Sequence, residues 1–307
     1  MVFPRLALLL RNLQINIRLF RKGMVIDMKE IRMRFPQGKK KALTLSYDDG
    51  VEQDARLIEI MKKNGLKGTF NINSGRYRKE GTVYGAGEVQ RRMSEEEITK
   101  LYKDSGMEVA IHGLTHPFLE RLPDNLCIAE IIKDRENLEK QFGAIVRGAA
   151  YPYGTYSDKV VEMMRMSGIV YARTTLSTEK FDIPQDWLRL NPTCHHVNPA
   201  LREFATEFVE ERRKDKGYPL LFYLWGHSYE FEKDKNWEVI ERFASYVGGR
   251  NDIWYATNIE IYEYVEAYRN LVFSMDSKRV YNPTCRQIYL KVDGEDISVS
   301  PGETIEL

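Results

Sequence analysis

The chain has 307 residues, 43% of them apolar, and a formal net charge of +1, so it can bury a substantial core and carries no global bias toward nucleic acid or acidic surfaces. One barrel-sized catalytic unit, up to about 250 residues, with a small extra piece accounts for that length. Three cysteines, Cys127, Cys194 and Cys285, lie far apart without C-x-x-C spacing, which speaks against a disulfide framework and fits a reducing, cytoplasmic compartment.

In chain order, Leu6 to Leu10 is apolar, but Arg11, Arg18, Arg21 and Lys22 interrupt it before it could span a membrane. Residues 1–28 therefore read either as a basic amphipathic surface segment or as sequence upstream of a start at Met24 or Met28, and residues 1–40 are assigned as an N-terminal segment outside the fold. From residue 41, strand-like and helical runs alternate, the pattern of an α/β barrel or open parallel sheet. Ala42 to Asp48 predicts a strand that stops at Gly50. Leu57 to Lys63 predicts a helix, and Lys67 to Ile72 the next strand. Ser94-x-x-Glu97 is a capping box opening a helix toward Lys103, and Asp124 to Phe142 is a longer amphipathic helix closed by Gly143. Strands are expected near 107–111, 145–150, 169–174 and 219–225. Residues 271–307 predict a small β appendage, with strands at 286–292, 296–300 and 304–307 and a turn at Asp293-Gly294.

Four of these runs end in groups that carry chemistry. Asp48 and Asp49 close the first strand, where adjacent carboxylates repel unless a cation or donors compensate; the same Asp-Asp-Gly also serves as a polar turn. His112 and His116, four apart and followed by Pro117, could face one ligand from one turn of backbone, and metal ligation ranks above two surface histidines. Tyr151-Pro152-Tyr153-Gly154 suits a tight loop that presents a backbone N–H. Leu220 to Gly226 is a buried-strand run that delivers His227, although a lone histidine there is more often structural.

Ser46-Tyr47-Asp48-Asp49-Gly50, His112-x-x-x-His116-Pro117, Tyr151-Pro152-Tyr153-Gly154 and Leu224-Trp225-Gly226-His227 occur in the order found in the polysaccharide deacetylases, metal-dependent carbohydrate esterases. The chain resembles that family over roughly residues 40 to 270. The resemblance implies a distorted (β/α) barrel over residues 41–270, with the 271–307 appendage beyond it. It makes Asp48 the general base, Asp49, His112 and His116 the metal ligands, Tyr153 the oxyanion donor through its N–H, and His227 the general acid.

Three positions depart from the family pattern. Gly113 stands where a serine or threonine is usual, and Ala150 stands where an arginine normally contacts the base. Asp186-Trp187 matches the acyl-pocket motif only loosely. Arg173, at the end of a neighbouring strand, is the candidate replacement for the lost arginine; His195 and His196 are candidates to fill the vacated space and touch substrate, with Trp225 and Pro152 nearby.

The implied reaction is hydrolysis of an acetyl or other N-acyl group on an amino sugar or oligosaccharide, with one divalent metal ion; zinc suits the donors, and cobalt, nickel or manganese share them. Two alternatives stay open: hydrolysis of another linear or cyclic amide such as a ureide or imide, and an inactive carbohydrate-binding homologue. Trp225, Tyr229 and Trp237 among charges are disfavoured as a nucleic-acid surface by the near-zero net charge, and the oligomeric state is left open.

Overall fold

The computed structural model describes residues 29–212 and 217–307, which fall into two compact units: residues 41–212 with 220–263, and residues 29–40 with 217–219 and 264–307. The reading of residues 1–28 lies outside the described residues. Among the described residues no helix is long and apolar enough to cross a membrane.

The larger unit is a curled parallel sheet wrapped by helices, the distorted (β/α) barrel expected. Its strands run in the order Tyr171–Arg173, Gly148–Ala150, Glu108–Ile111, Gly68–Ile72, Lys41–Asp48, Leu220–Gly226, Cys194–His195. Lys41–Asp48 is central and buried at every residue, as a strand paired on both sides and covered by helices must be. One of its edges is shared: Leu45–Asp48 pairs with Gly68–Asn71, while Lys41–Leu43 pairs with Ile253–Tyr255. The other edge pairs with Leu220–Gly226 over its length. The helix Asp54–Lys63 buries Leu57, Ile58 and Met61, and the Ser94 capping box forms with both of its bonds, Glu97 N–H to Ser94 Oγ and Ser94 N–H to Glu97 Oε2. Asp124–Phe142 is helical as predicted. Phe222 meets Phe181, Phe208 and Phe243 at centroid separations of 5.4, 5.4 and 5.5 Å, a cluster whose truncation at Phe222 costs about 3–5 kcal/mol.

The smaller unit takes in part of the N-terminal segment, with the division still at residues 40 and 41. Residues 31–34, read as outside the fold, form a strand antiparallel to Ile288–Val292, which pairs in turn with Glu295–Val299. A second three-stranded sheet joins Val272–Phe273, Arg279–Tyr281 and Thr304–Glu306. The appendage therefore recruits a segment from the other end of the sequence, which local periodicity does not reveal.

Candidate active site

Asp48, Asp49, His112, His116, Tyr153, Arg173, His195, His196 and His227 end or follow parallel strands, at the end where α/β barrels gather their reactive residues. Asp48 ends the central strand and is 2% exposed. Its carboxylate accepts Asn71 Nδ2–H at 2.8 Å and is ion-paired with Arg173. Arg173 lies in register with Ala150 on the next strand, so the guanidinium reaches the carboxylate from beside the position where the family's arginine is missing. The guanidinium also stacks 4.4 Å from the Trp225 ring. Burial pushes the Asp48 carboxyl up, but Arg173, then His112 and His227, pull it further down, and it ends below the usual carboxylate range.

Asp49 turns the other way, at φ +88°, and shares its surroundings with a different guanidinium. Arg92 Nη2 donates to Oδ1 at 2.8 Å and Gln90 Nε2 to Oδ2 at 2.8 Å, while Arg92 Nη1 bonds the Asp49 carbonyl and Asn73 Oδ1. Burial raises this carboxyl; Arg92 and the nearby imidazoles outweigh it and bring it to about 2.

His112 follows Glu108–Ile111, and its Nδ1 lies 2.9 Å from the Ala150 carbonyl, which fixes the proton on Nδ1 and leaves Nε2 as the lone pair. Burial lowers its pKa. Buried Asp134 accepts the His112 backbone N–H at 3.0 Å and both the N–H and hydroxyl of Ser74, and Asn73 Nδ2 bonds the carbonyls of His112 and Gly113. Gly113 sits at φ +72°, where a Cβ would meet Pro152 at 3.2 Å, so the serine or threonine usual at this place would be strained twice over. His116, at φ +60°, packs edge-on against His112 at 4.7 Å and against Tyr153 at 4.5 Å, and burial brings it to about 4. Tyr153 is itself at φ +59°, so three of these residues occupy a backbone region that costs energy and concentrates at functional sites. Its ring stacks on Phe118 at 4.0 Å, and Pro152 is buried beneath the turn.

His227 lies across the pocket, with Nε2 3.8 Å from Asp48 Oδ2, the same distance at which His112 Nε2 approaches that oxygen. Behind it, Glu230 is a hub: His227 Nδ1 lies 3.3 Å from Oε1, and His195 Nε2 and His196 Nε2 lie 3.3 and 3.2 Å from Oε2. The His196 and His227 nitrogens approach off the hydrogen-bond line, so those contacts are chiefly electrostatic. Burial lowers the His227 pKa, but Glu230 and the two aspartates overcome it and the net shift is upward.

The sequence-derived candidates thus divide. Asp48, Asp49, His112, His116, Tyr153, Trp225 and His227 line one pocket. His195 and His196 do not; they face Glu230, which corrects the expectation that they fill vacated space beside substrate. Asp186 caps a short turn at Leu188 N–H and Trp187 packs on Tyr262, so neither reaches this pocket. Sequence reasoning missed Asn71, Asn73, Gln90, Arg92, Asp134 and Glu230. Only Glu230 carried a local signal, a carboxylate three residues after His227.

Asp49, His112 and His116 each offer one ligand atom, all within 4.8 Å of one another. Two imidazoles with a fixed or lowered proton affinity and one ionised carboxylate fit a divalent cation.

Residues 36–172 match the profile of the family described as polysaccharide deacetylase. This segment belongs to the polysaccharide deacetylase family. The fold agrees with that of a polysaccharide deacetylase from Mycobacterium smegmatis, so described as putative, at 17% identity and TM-score 0.55, covering 78% of this chain and 94% of that one. A Streptococcus pyogenes deacetylase solved with acetate is 21% identical at TM-score 0.41, over 48% of this chain, and the chain spans 61% of its length. A family 4 carbohydrate esterase from Streptomyces lividans, also with acetate, is 17% identical at TM-score 0.46, over 70% of this chain and 92% of that one. No curated protein matches this chain.

Proposed function

We propose that the chain is a metal-dependent hydrolase that removes an acetyl or other N-acyl group from an amino sugar or oligosaccharide. The observation that carries this reading is the meeting, in one pocket, of a carboxylate held ionised by an arginine, a separate three-donor ligand set, and an imidazole backed by its own carboxylate. Asp49, His112 and His116 would hold the ion, zinc by donor type; when bound it supplies Lewis acidity toward the acyl oxygen and the attacking water.

The chain's own residues do the remaining work. Asp48, ionised well below neutral pH and fixed by Arg173 and Asn71, accepts the proton of the attacking water. The Tyr153 N–H donates to the developing oxyanion from a turn whose Gly154 and Thr155 amides are already tied to Tyr151 and Pro152. His227, kept protonated to higher pH by Glu230, gives its Nε2 proton to the departing amine, which otherwise leaves poorly. Buried Trp225 forms a wall that fixes Arg173.

The direct experiment measures acetate release from N-acetylated chito-oligosaccharides by protein loaded with one equivalent of zinc, beside hydantoin and dihydropyrimidine ring opening. Acetate release that depends on Asp48 and on metal supports the reading; ring opening without deacetylation replaces it with a cyclic-amide hydrolase.

A further inference from the structure

The two carboxylates of the pocket each have a guanidinium of their own, Asp48 with Arg173 and Asp49 with Arg92. Glu230, behind His227, is met by three imidazoles. Asp48 and Asp49 are thus balanced before any substrate enters, and a bound cation would only add positive charge. Arg76 lines the same pocket, is exposed, and among the described residues its guanidinium makes no ion pair.

The backbone of Arg76 is nevertheless pinned. Gly75 donates its N–H to the Leu114 carbonyl at 2.9 Å, an approach so close that a Cβ would sit 2.6 Å from that oxygen. Ser74 gives its N–H and hydroxyl to Asp134 at 2.8 and 2.7 Å, and the Arg76 N–H closes on the Asn73 carbonyl at 3.0 Å. The backbone is therefore set before an anion arrives, and only the Arg76 side chain has to order.

We infer that Arg76 is a substrate-binding residue that selects acylated sugars carrying a negatively charged substituent, either a carboxylate or a phosphate ester. The sugar scaffold in this inference rests on the deacetylase reading; the negative charge rests on Arg76 and the paired acids. A guanidinium matches both anions through two parallel N–H donors, and a pocket with excess positive charge concentrates them.

The test is calorimetric binding of three probes to the purified chain: N-acetylglucosamine, the same sugar bearing an O-linked lactyl carboxylate, and the same sugar bearing a phosphate monoester. One or both anionic sugars should bind about tenfold tighter than the neutral one, with the preference shrinking at high salt. Which anion shows it tells the two sources apart. Arg76→Ala should bring the anionic-to-neutral ratio near one, and Arg76→Lys should keep part of it; melting curves of both variants check that the exposed substitution leaves the fold intact. Equal binding of all three sugars, no binding of any, or a preference that survives Arg76→Ala would overturn the inference. Acetate release separates this from the proposed function: charge-selective binding through Arg76 without acetate release sinks only the deacetylase reading, and equal deacetylation and equal binding of all three probes sinks only this one.

Discussion

Two clusters of two histidines and one carboxylate lie on the same end of the sheet, Asp49–His112–His116 and His195–His196–Glu230, and each brings its ligand atoms within 4.8 Å. What differs is the second nitrogen of each imidazole. His112 gives its Nδ1 proton to the Ala150 carbonyl, so its Nε2 faces the cluster as a lone pair. His195 does the reverse: its Nδ1 accepts the Val197 N–H at 3.2 Å, which places the proton on Nε2, toward Glu230. His196 is sealed between Tyr47 and Phe231, stacked at 5.7 and 4.1 Å. His112 thus turns a lone pair toward its cluster, whereas His195 turns an N–H toward Glu230. Residue types alone do not make a metal site; the backbone groups behind the rings do.

The largest expected effect tests that contrast directly. His112→Ala with His116→Ala should abolish stoichiometric metal and reduce turnover by ~10³-fold or more, whereas His195→Ala with His196→Ala should keep one metal per chain. Elemental analysis decides. Two metals per wild-type chain, one lost with each pair, would erase the distinction between the clusters.

Next in size, Asp48→Asn should retain the metal and lose ~10²–10⁴ in kcat, because an amide cannot take up the water's proton. Metal content unchanged with near-wild-type kcat would remove Asp48 from the mechanism. Glu230→Gln acts on the other side of the pocket and should do so through pH. Glu230 raises the His227 pKa, so the acid form of His227 persists above its ordinary range in the wild type. Without that carboxylate the proton is lost at lower pH, and the basic limb of the kcat profile should move down while metal affinity holds. A limb that stays in place, with kcat lowered uniformly, would reduce Glu230 to a packing role.

The same contrast explains what could be read from the residues alone. Asp48, Asp49, His112 and His227 are legible because they close or follow an apolar run, a local signal, and His116 by its spacing four residues after His112. Arg173 is legible as a strand-end cation; that it lies beside Ala150 depends on sheet register, which no single strand reveals. Arg92 and Gln90 belong to residues 77–93, which lack a period, and their partner Asp49 lies some forty residues earlier. The roles of His195 and His196 turn on a tautomer set by one backbone amide, information that residue type does not carry. Strand 31–34 is only four residues long and pairs with a strand near the other end of the chain, so its alternation of apolar and basic residues reads as noise until the partner is seen.

The smallest expected effect concerns how the first cluster is tuned, and it separates charge from orientation. Arg92 and Gln90 each donate to one oxygen of Asp49 at 2.8 Å, but only Arg92 brings a positive charge. Arg92 holds the Asp49 carboxyl at about 2, so at neutral pH no proton competes there, and the guanidinium's remaining influence on a divalent ion is repulsion through the shared carboxylate. Replacing Gln90 with alanine removes orientation alone and should weaken metal binding, by about tenfold on the scale of other groups that hold ligating side chains. Arg92→Gln keeps a donor while removing the charge, and at pH 7 should bind metal more tightly, by a few-fold given the partial exposure of the guanidinium. The sign should change in acid, because Asp49 without Arg92 takes up its proton at higher pH and releases the metal sooner as pH falls, alongside His116 at about 4. Competition titrations against a metal-sensitive dye at pH 7 and pH 5 read both signs. Weaker binding by Arg92→Gln at both pH values would mean that Arg92, like Gln90, serves only to orient the carboxylate.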